Sequence, residues 1–98
     1  MKCLLVSDTE TRKSAATMHV ASGDLNDPYG ANGLAHLCER MLVLGTRKYP
    51  EESHYPRYIK MNGGSTRAAT TEDFTNYHFD VNREVFHEAL DIFSQLFK

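Results

Sequence analysis

Leu34-Ala35-His36-Leu37-Cys38-Glu39-Arg40-Met41-Leu42-Val43-Leu44-Gly45 reads as a helix that stops at a glycine. Leu34, Leu37, Met41, Leu42 and Leu44 recur at mostly helical spacing, and Gly45 stands where helices end in the left-handed conformation. On that helix His36, Glu39 and Arg40 fall at i, i+3 and i+4, so Glu39 and Arg40 both lie one turn on from His36. A helix uses this spacing to bring two ligands and a base to a single metal ion. It also occurs on ordinary helix faces, with His36 against Glu39 and Arg40 in solvent.

Towards the N-terminus the apolar pattern disappears from Ser22 to Gly33, where Gly23, Asn26, Asp27, Pro28, Gly30, Asn32 and Gly33 form a loop. Asn32 is the expected N-cap of the helix. Before the loop, Ala15 to Ala21 alternates, with Ala16, Met18 and Val20 on one side and Thr17, His19 and Ala21 on the other. This predicts a strand whose His19 faces solvent. The run Cys3-Leu4-Leu5-Val6 within Lys2–Ser7 predicts a first strand buried on both faces and joined to the next as a hairpin across the polar Asp8–Lys13.

Towards the C-terminus a loop at Thr46–Pro50 precedes a helix that starts near His54. Pro56 is tolerable there only in the first turn. The helix runs through Tyr58, Ile59 and Met61 to Asn62-Gly63-Gly64. Ser65–Thr71 is small or β-branched except for Arg67, and Thr75–Val81 alternates with Tyr77, Phe79 and Val81 inward. The two predict a hairpin turning at Glu72-Asp73-Phe74. Asn82 then caps a helix with an apolar stripe of Phe86, Ala89, Leu90, Phe93 and Phe97, leaving His87 in solvent. The order ββααββα implies an α+β fold: a largely antiparallel sheet with helices packed on one face, in a single domain over 1–98.

Eleven basic and thirteen acidic residues give a net charge of −2, with no basic block, which removes electrostatic support for nucleic-acid binding. No apolar run approaches the roughly 20 residues of a membrane helix, and the first residues are too briefly apolar for a signal peptide. Cys3 and Cys38 are expected to be free, buried thiols in a reducing compartment, which places the chain in the cytoplasm.

The surrounding residues decide between the two readings of the helix. Leu4-Leu5-Val6-Ser7-Asp8, Lys13-Ser14-Ala15-Ala16, Gly23-Asp24-Leu25-Asn26-Asp27-Pro28 and Gly33-Leu34-Ala35-His36 carry a resemblance. So do Met41-Leu42, Leu44-Gly45-Thr46, Lys48-Tyr49-Pro50, Gly64-Ser65, Thr75-Asn76-Tyr77, Phe79-Asp80-Val81 and Glu88-Ala89-Leu90-Asp91. In this collinear order they resemble the insulin-degrading enzyme branch of the pitrilysin-type zinc metallopeptidases over almost the whole chain. The resemblance implies the front portion of an N-terminal catalytic domain with a partial α+β roll. It also implies zinc as cofactor and an extended peptide or small polypeptide as substrate.

By that resemblance the helix carries the inverted motif His-x-x-Glu-His up to its last letter. His36 matches the first zinc ligand and Glu39 the general base acting on zinc-bound water. Arg40 replaces the second ligand, and no residue of this chain matches the third, a glutamate further downstream in the family. Arg67 stands where family members carry an asparagine that approaches the substrate, and Ala68 keeps the match beside it. Arg67 and Ala68 are therefore the expected substrate-binding residues. A guanidinium has no lone pair for a cation, so zinc binding is expected to be weak or absent and hydrolysis impaired. Arg40 could instead pair with Glu39.

Three functions remain open at this level. The chain is a family member that binds peptide without cutting it; or a working zinc endopeptidase completed by another ligand, His78 being the only nearby candidate; or a module that self-associates or docks to other peptidase-family domains.

Overall fold

The computed structural model describes all residues, 1–98. Its elements are β1 (Lys13–Val20), α1 (Leu34–Leu42), α2 (His54–Met61), β2 (Ser65–Thr70), β3 (Thr75–Asn82) and α3 (Phe86–Gln95). Short 3₁₀ turns occupy Asp24–Asn26 and Arg83–Val85. The fold is α+β, a three-stranded antiparallel sheet in the order β1-β3-β2.

β3 is central because it alone offers a continuous apolar face. Thr75, Tyr77, Phe79 and Val81 are buried, while Asn76, His78 and Asp80 between them are half-buried. Its register with β1 runs from Lys13 opposite Asn82 to Val20 opposite Thr75. With β2 it runs from Ser65 opposite Asp80 to Thr70 opposite Thr75. Residues directly opposite share a face. Ala16, Met18, Thr66, Ala68 and Thr70 therefore join Tyr77 and Phe79 on the covered face. Thr17, His19, Arg67 and Ala69 join Asn76 and His78 on the open one.

The helices supply the rest of the core: Tyr55 and Ile59 from α2, Ala89, Ile92 and Phe93 from α3, and Leu96 just after it. Phe93 links the layers, its ring 4.9 Å from Phe79 and 5.3 Å from Phe97. Phe79, Ile59, Ile92 and Val81 are the largest fully buried side chains, each contributing about 1.5–3 kcal/mol by leaving water.

Several expectations are corrected. Lys2–Ser7 forms no strand, and Leu4, Leu5 and Val6 stand 84–88% exposed. A strand apolar on both faces needs cover on both, and the helices cover one face only. β1 accordingly pairs with β3 rather than with that segment. Cys3 and Cys38 are free as expected, but both are exposed. On α3 the buried stripe is Ala89, Ile92 and Phe93, continued by Leu96, with Leu90 left 38% exposed. Phe86 and Phe97 of the expected stripe pack half-buried against this core, so Leu90 alone departs from it while Ile92 and Leu96 join. Asn82 makes no side-chain cap bond at the 3₁₀ turn before α3.

Candidate functional site

The helix α1 is held at both ends by residues outside it. The backbone N–H groups of Asp24 and Leu25 donate to the carbonyls of Thr71 and Glu72, at 2.9 and 2.8 Å, docking the first loop on the β2–β3 turn. Gly23 permits this close approach, since a Cβ there would lie 2.2 Å from the Thr71 carbonyl oxygen. The docked loop aims Asp27 at the helix start, where its carboxylate accepts from the N–H groups of Gly33 and Ala35, both at 2.8 Å. Asp27 thus does what was expected of Asn32. It adds a negative charge at the positive end of the helix dipole.

Beyond α1, Asp91 on α3 gathers the following loop. Its Oδ2 accepts from Lys48 Nζ at 2.7 Å and from the Tyr49 hydroxyl at 2.6 Å. The Tyr49 ring stacks on His54, 4.9 Å between centroids. The hydrogen bonds from Lys48 and Tyr49 lower the Asp91 carboxyl to about 2. The same bonds raise the pKa values of Lys48 and Tyr49.

Between these anchors, Glu39 is the one buried residue of α1, only 8% exposed. Its Oε2 accepts a short hydrogen bond, 2.5 Å, from the Thr70 hydroxyl on β2 and lies 3.4 Å from His36 Nδ1. His36 is well exposed, its side chain 58% accessible. Arg40 is exposed and forms no ion pair with Glu39, whose carboxylate has His36 as its only ion-pair partner. Adjacent helix residues point about 100° apart, so Arg40 stays exposed while Glu39 is buried against the sheet.

The structure brings His36, Glu39 and Thr70 together. Ala68, opposite Tyr77, lies on the covered face two residues from Thr70. Arg67, opposite His78, lies on the open face. His78 cannot serve as a further ligand beside His36, because it too is on the open face, with Nδ1 2.9 Å from the Thr17 hydroxyl. Thr70 and Asp27 were missed in the sequence. The in-phase placement of Thr70 with Ala68 was the available signal for the first; nothing local marked the second.

A catalytic zinc site needs three protein ligands and a water position. Here one imidazole and one carboxylate converge, that carboxylate is held by Thr70, and the neighbouring guanidinium cannot donate an electron pair. No group of three or more His, Cys, Asp or Glu side chains is placed to hold a metal ion. The donors of this chain do not fit a resident zinc.

The family model described as insulinase, peptidase family M16, matches residues 2–98. The peroxisomal insulin-degrading enzyme-like 1 of Arabidopsis thaliana is 53% identical over 97 residues, covering 99% of this chain and 10% of that protein. The insulin-degrading enzyme of Homo sapiens is 47% identical with the same coverage. The crystal structure of pitrilysin superposes with a TM-score of 0.89 at 34% identity, over 92% of this chain and 10% of that one. The chain thus spans about a tenth of the length of the relatives it matches.

Proposed function

Because the chain belongs to the insulinase family of metallopeptidases, peptidase family M16, we propose that it forms the front portion of a peptidase N-terminal domain and binds extended peptide without hydrolysing it. The observation that carries this reading is the arrangement of α1 against β2. The would-be base Glu39 is engaged by Thr70, and Arg40 occupies the second ligand position, exposed and unpaired with Glu39. His36 and Glu39 keep the family's positions for a ligand and a base, but neither has the partners that hydrolysis needs.

Peptide binding is supported by the sheet. β2 is an edge strand, so every other backbone N–H and C=O along Ser65–Thr70 points away from β3 and is open to a further strand. Main-chain hydrogen bonds would hold the peptide there, with Ala68 leaving room for a side chain on the covered face. The compartment we propose is the cytoplasm; no helix is long and apolar enough to cross a membrane.

The test is zinc content by atomic spectroscopy beside cleavage of a quenched fluorogenic peptide, with and without added Zn²⁺. Peptide binding followed by anisotropy without cleavage is the expected result. Chelator-sensitive turnover overturns the proposal in favour of a working endopeptidase.

A second reading, docking to further peptidase-family domains, is favoured by the outer side of α1. Leu34, Leu37 and Met41 there are 46–58% exposed at helical spacing.

A further inference from the structure

We infer that β2 reads the charge of the strand it binds, accepting an aspartate or glutamate opposite Arg67 with a neutral residue on either side. The inference rests on the peptide-binding reading above and names its ligand class.

A strand added to the free edge of β2 alternates its side chains between the two sheet faces. The residue directly opposite Arg67 projects onto the open face, beside the guanidinium. That guanidinium is exposed and forms no ion pair, so its planar fork of donors, matched to a carboxylate, is unused. Behind it stands His78, its direct partner across the ladder, oriented by the Thr17 hydroxyl at 2.9 Å from Nδ1.

The open face of the three strands carries a single carboxylate, Asp80, and it is already committed. Lys13 Nζ lies 3.5 Å away, and the Ser65 N–H and hydroxyl donate to it at 3.2 and 3.0 Å. Nothing on this face therefore neutralises Arg67. The flanking peptide residues project instead onto the covered face, where Thr70 holds the buried Glu39 carboxylate. An acidic side chain there meets like charge. The charge pattern thus has a phase: acidic on the open side, neutral on the other.

An arginine on an edge strand also deters unwanted strand pairing, and the experiment separates the two roles. Extended peptides of one length, with Glu, Gln or Lys at one central position, are titrated against the chain and against Arg67→Gln and Arg67→Glu by anisotropy. Circular dichroism checks that each variant is folded. The expected order for the parent is Glu, then Gln, then Lys, with about two- to fivefold between steps, the contribution of an exposed ion pair. Arg67→Gln levels the series and Arg67→Glu inverts it. Two glutamates placed two positions apart bind more tightly than two placed side by side, because the second arrangement sets one of them towards Glu39. Equal binding of the Glu and Gln peptides, or an order unchanged in Arg67→Glu, overturns the inference while leaving peptide binding intact. Failure of every peptide, the Gln peptide included, overturns both.

Discussion

Thr70 Oγ1 donates to the same carboxylate oxygen of Glu39, Oε2, that lies 3.4 Å from His36 Nδ1. One oxygen of one buried side chain therefore ties helix α1 to strand β2. Replacing Thr70 by valine keeps the volume and removes the donor, leaving a carboxylate that is 8% exposed without its hydroxyl partner. The expected loss is about 1–3 kcal/mol of unfolding free energy. Chemical denaturation of Thr70→Val beside Thr70→Ser measures it, and the serine variant should retain most of the stability.

Asp27 closes the start of α1 from six and eight residues away. Asp27→Ala frees the Gly33 and Ala35 N–H groups and removes a charge from the helix dipole. The expected cost is about 1–2 kcal/mol, with faster amide exchange confined to the first turn of α1. A uniform rise in exchange along the chain would show that the loop, rather than the cap, was lost.

The cluster of Lys48, Tyr49 and Asp91 gives the loop after α1 a defined pH response. The folded-state pKa of Asp91 is lowered from 3.8 to about 2, so its contribution is complete above the ordinary value. It is lost as pH falls from about 4 towards 2. Lys48 and Tyr49 are raised, so their contributions hold below their ordinary values, 10.5 and 10.0, and fade as pH climbs through the raised ones. Protection of the Thr46–Tyr49 amides against exchange, taken relative to their intrinsic rates at each pH, should fall on acidification across that lower window. Asp91→Asn should show fast exchange already at neutral pH.

Arg40→His restores the whole His-x-x-Glu-His pattern and two imidazoles one turn apart. Two ligands without a third protein donor leave the ion loosely held and its water poorly placed for Glu39. The expected result is zinc uptake above that of the parent chain, with no cleavage of a fluorogenic peptide. Turnover by the variant alone would identify Arg40 as the only obstacle to hydrolysis.

Leu37 and Met41, 54% and 58% exposed on α1, and the free edges of β1 and β2 should draw copies of the chain together. Sedimentation velocity should show average mass rising with concentration. The double variant Leu37→Glu, Met41→Lys should reduce that rise at unchanged helicity. Monomeric behaviour of the parent at every concentration would count against it.

The sequence by itself determined the elements whose periodicity is local. The alternation of Tyr77, Phe79 and Val81 placed β3 and its buried face, Pro56 fixed the first turn of α2, and Asn62-Gly63-Gly64 ended it. The spacing of His36 and Glu39 put both on one helical turn, and collinear matches along the chain pointed to the family. What depends on which surface another element covers was settled only by the tertiary structure. Leu4–Val6 has the composition of a buried strand but lacks a second covering layer. On α3 the layers packed against the helix decided that Ile92 and Leu96 join Ala89 and Phe93 in the core while Leu90 does not. The β2–β3 register then set Thr70 against Glu39 and sent Arg67 to the opposite face. A one-residue change of register would reverse those faces, and no pattern within β2 alone distinguishes the two.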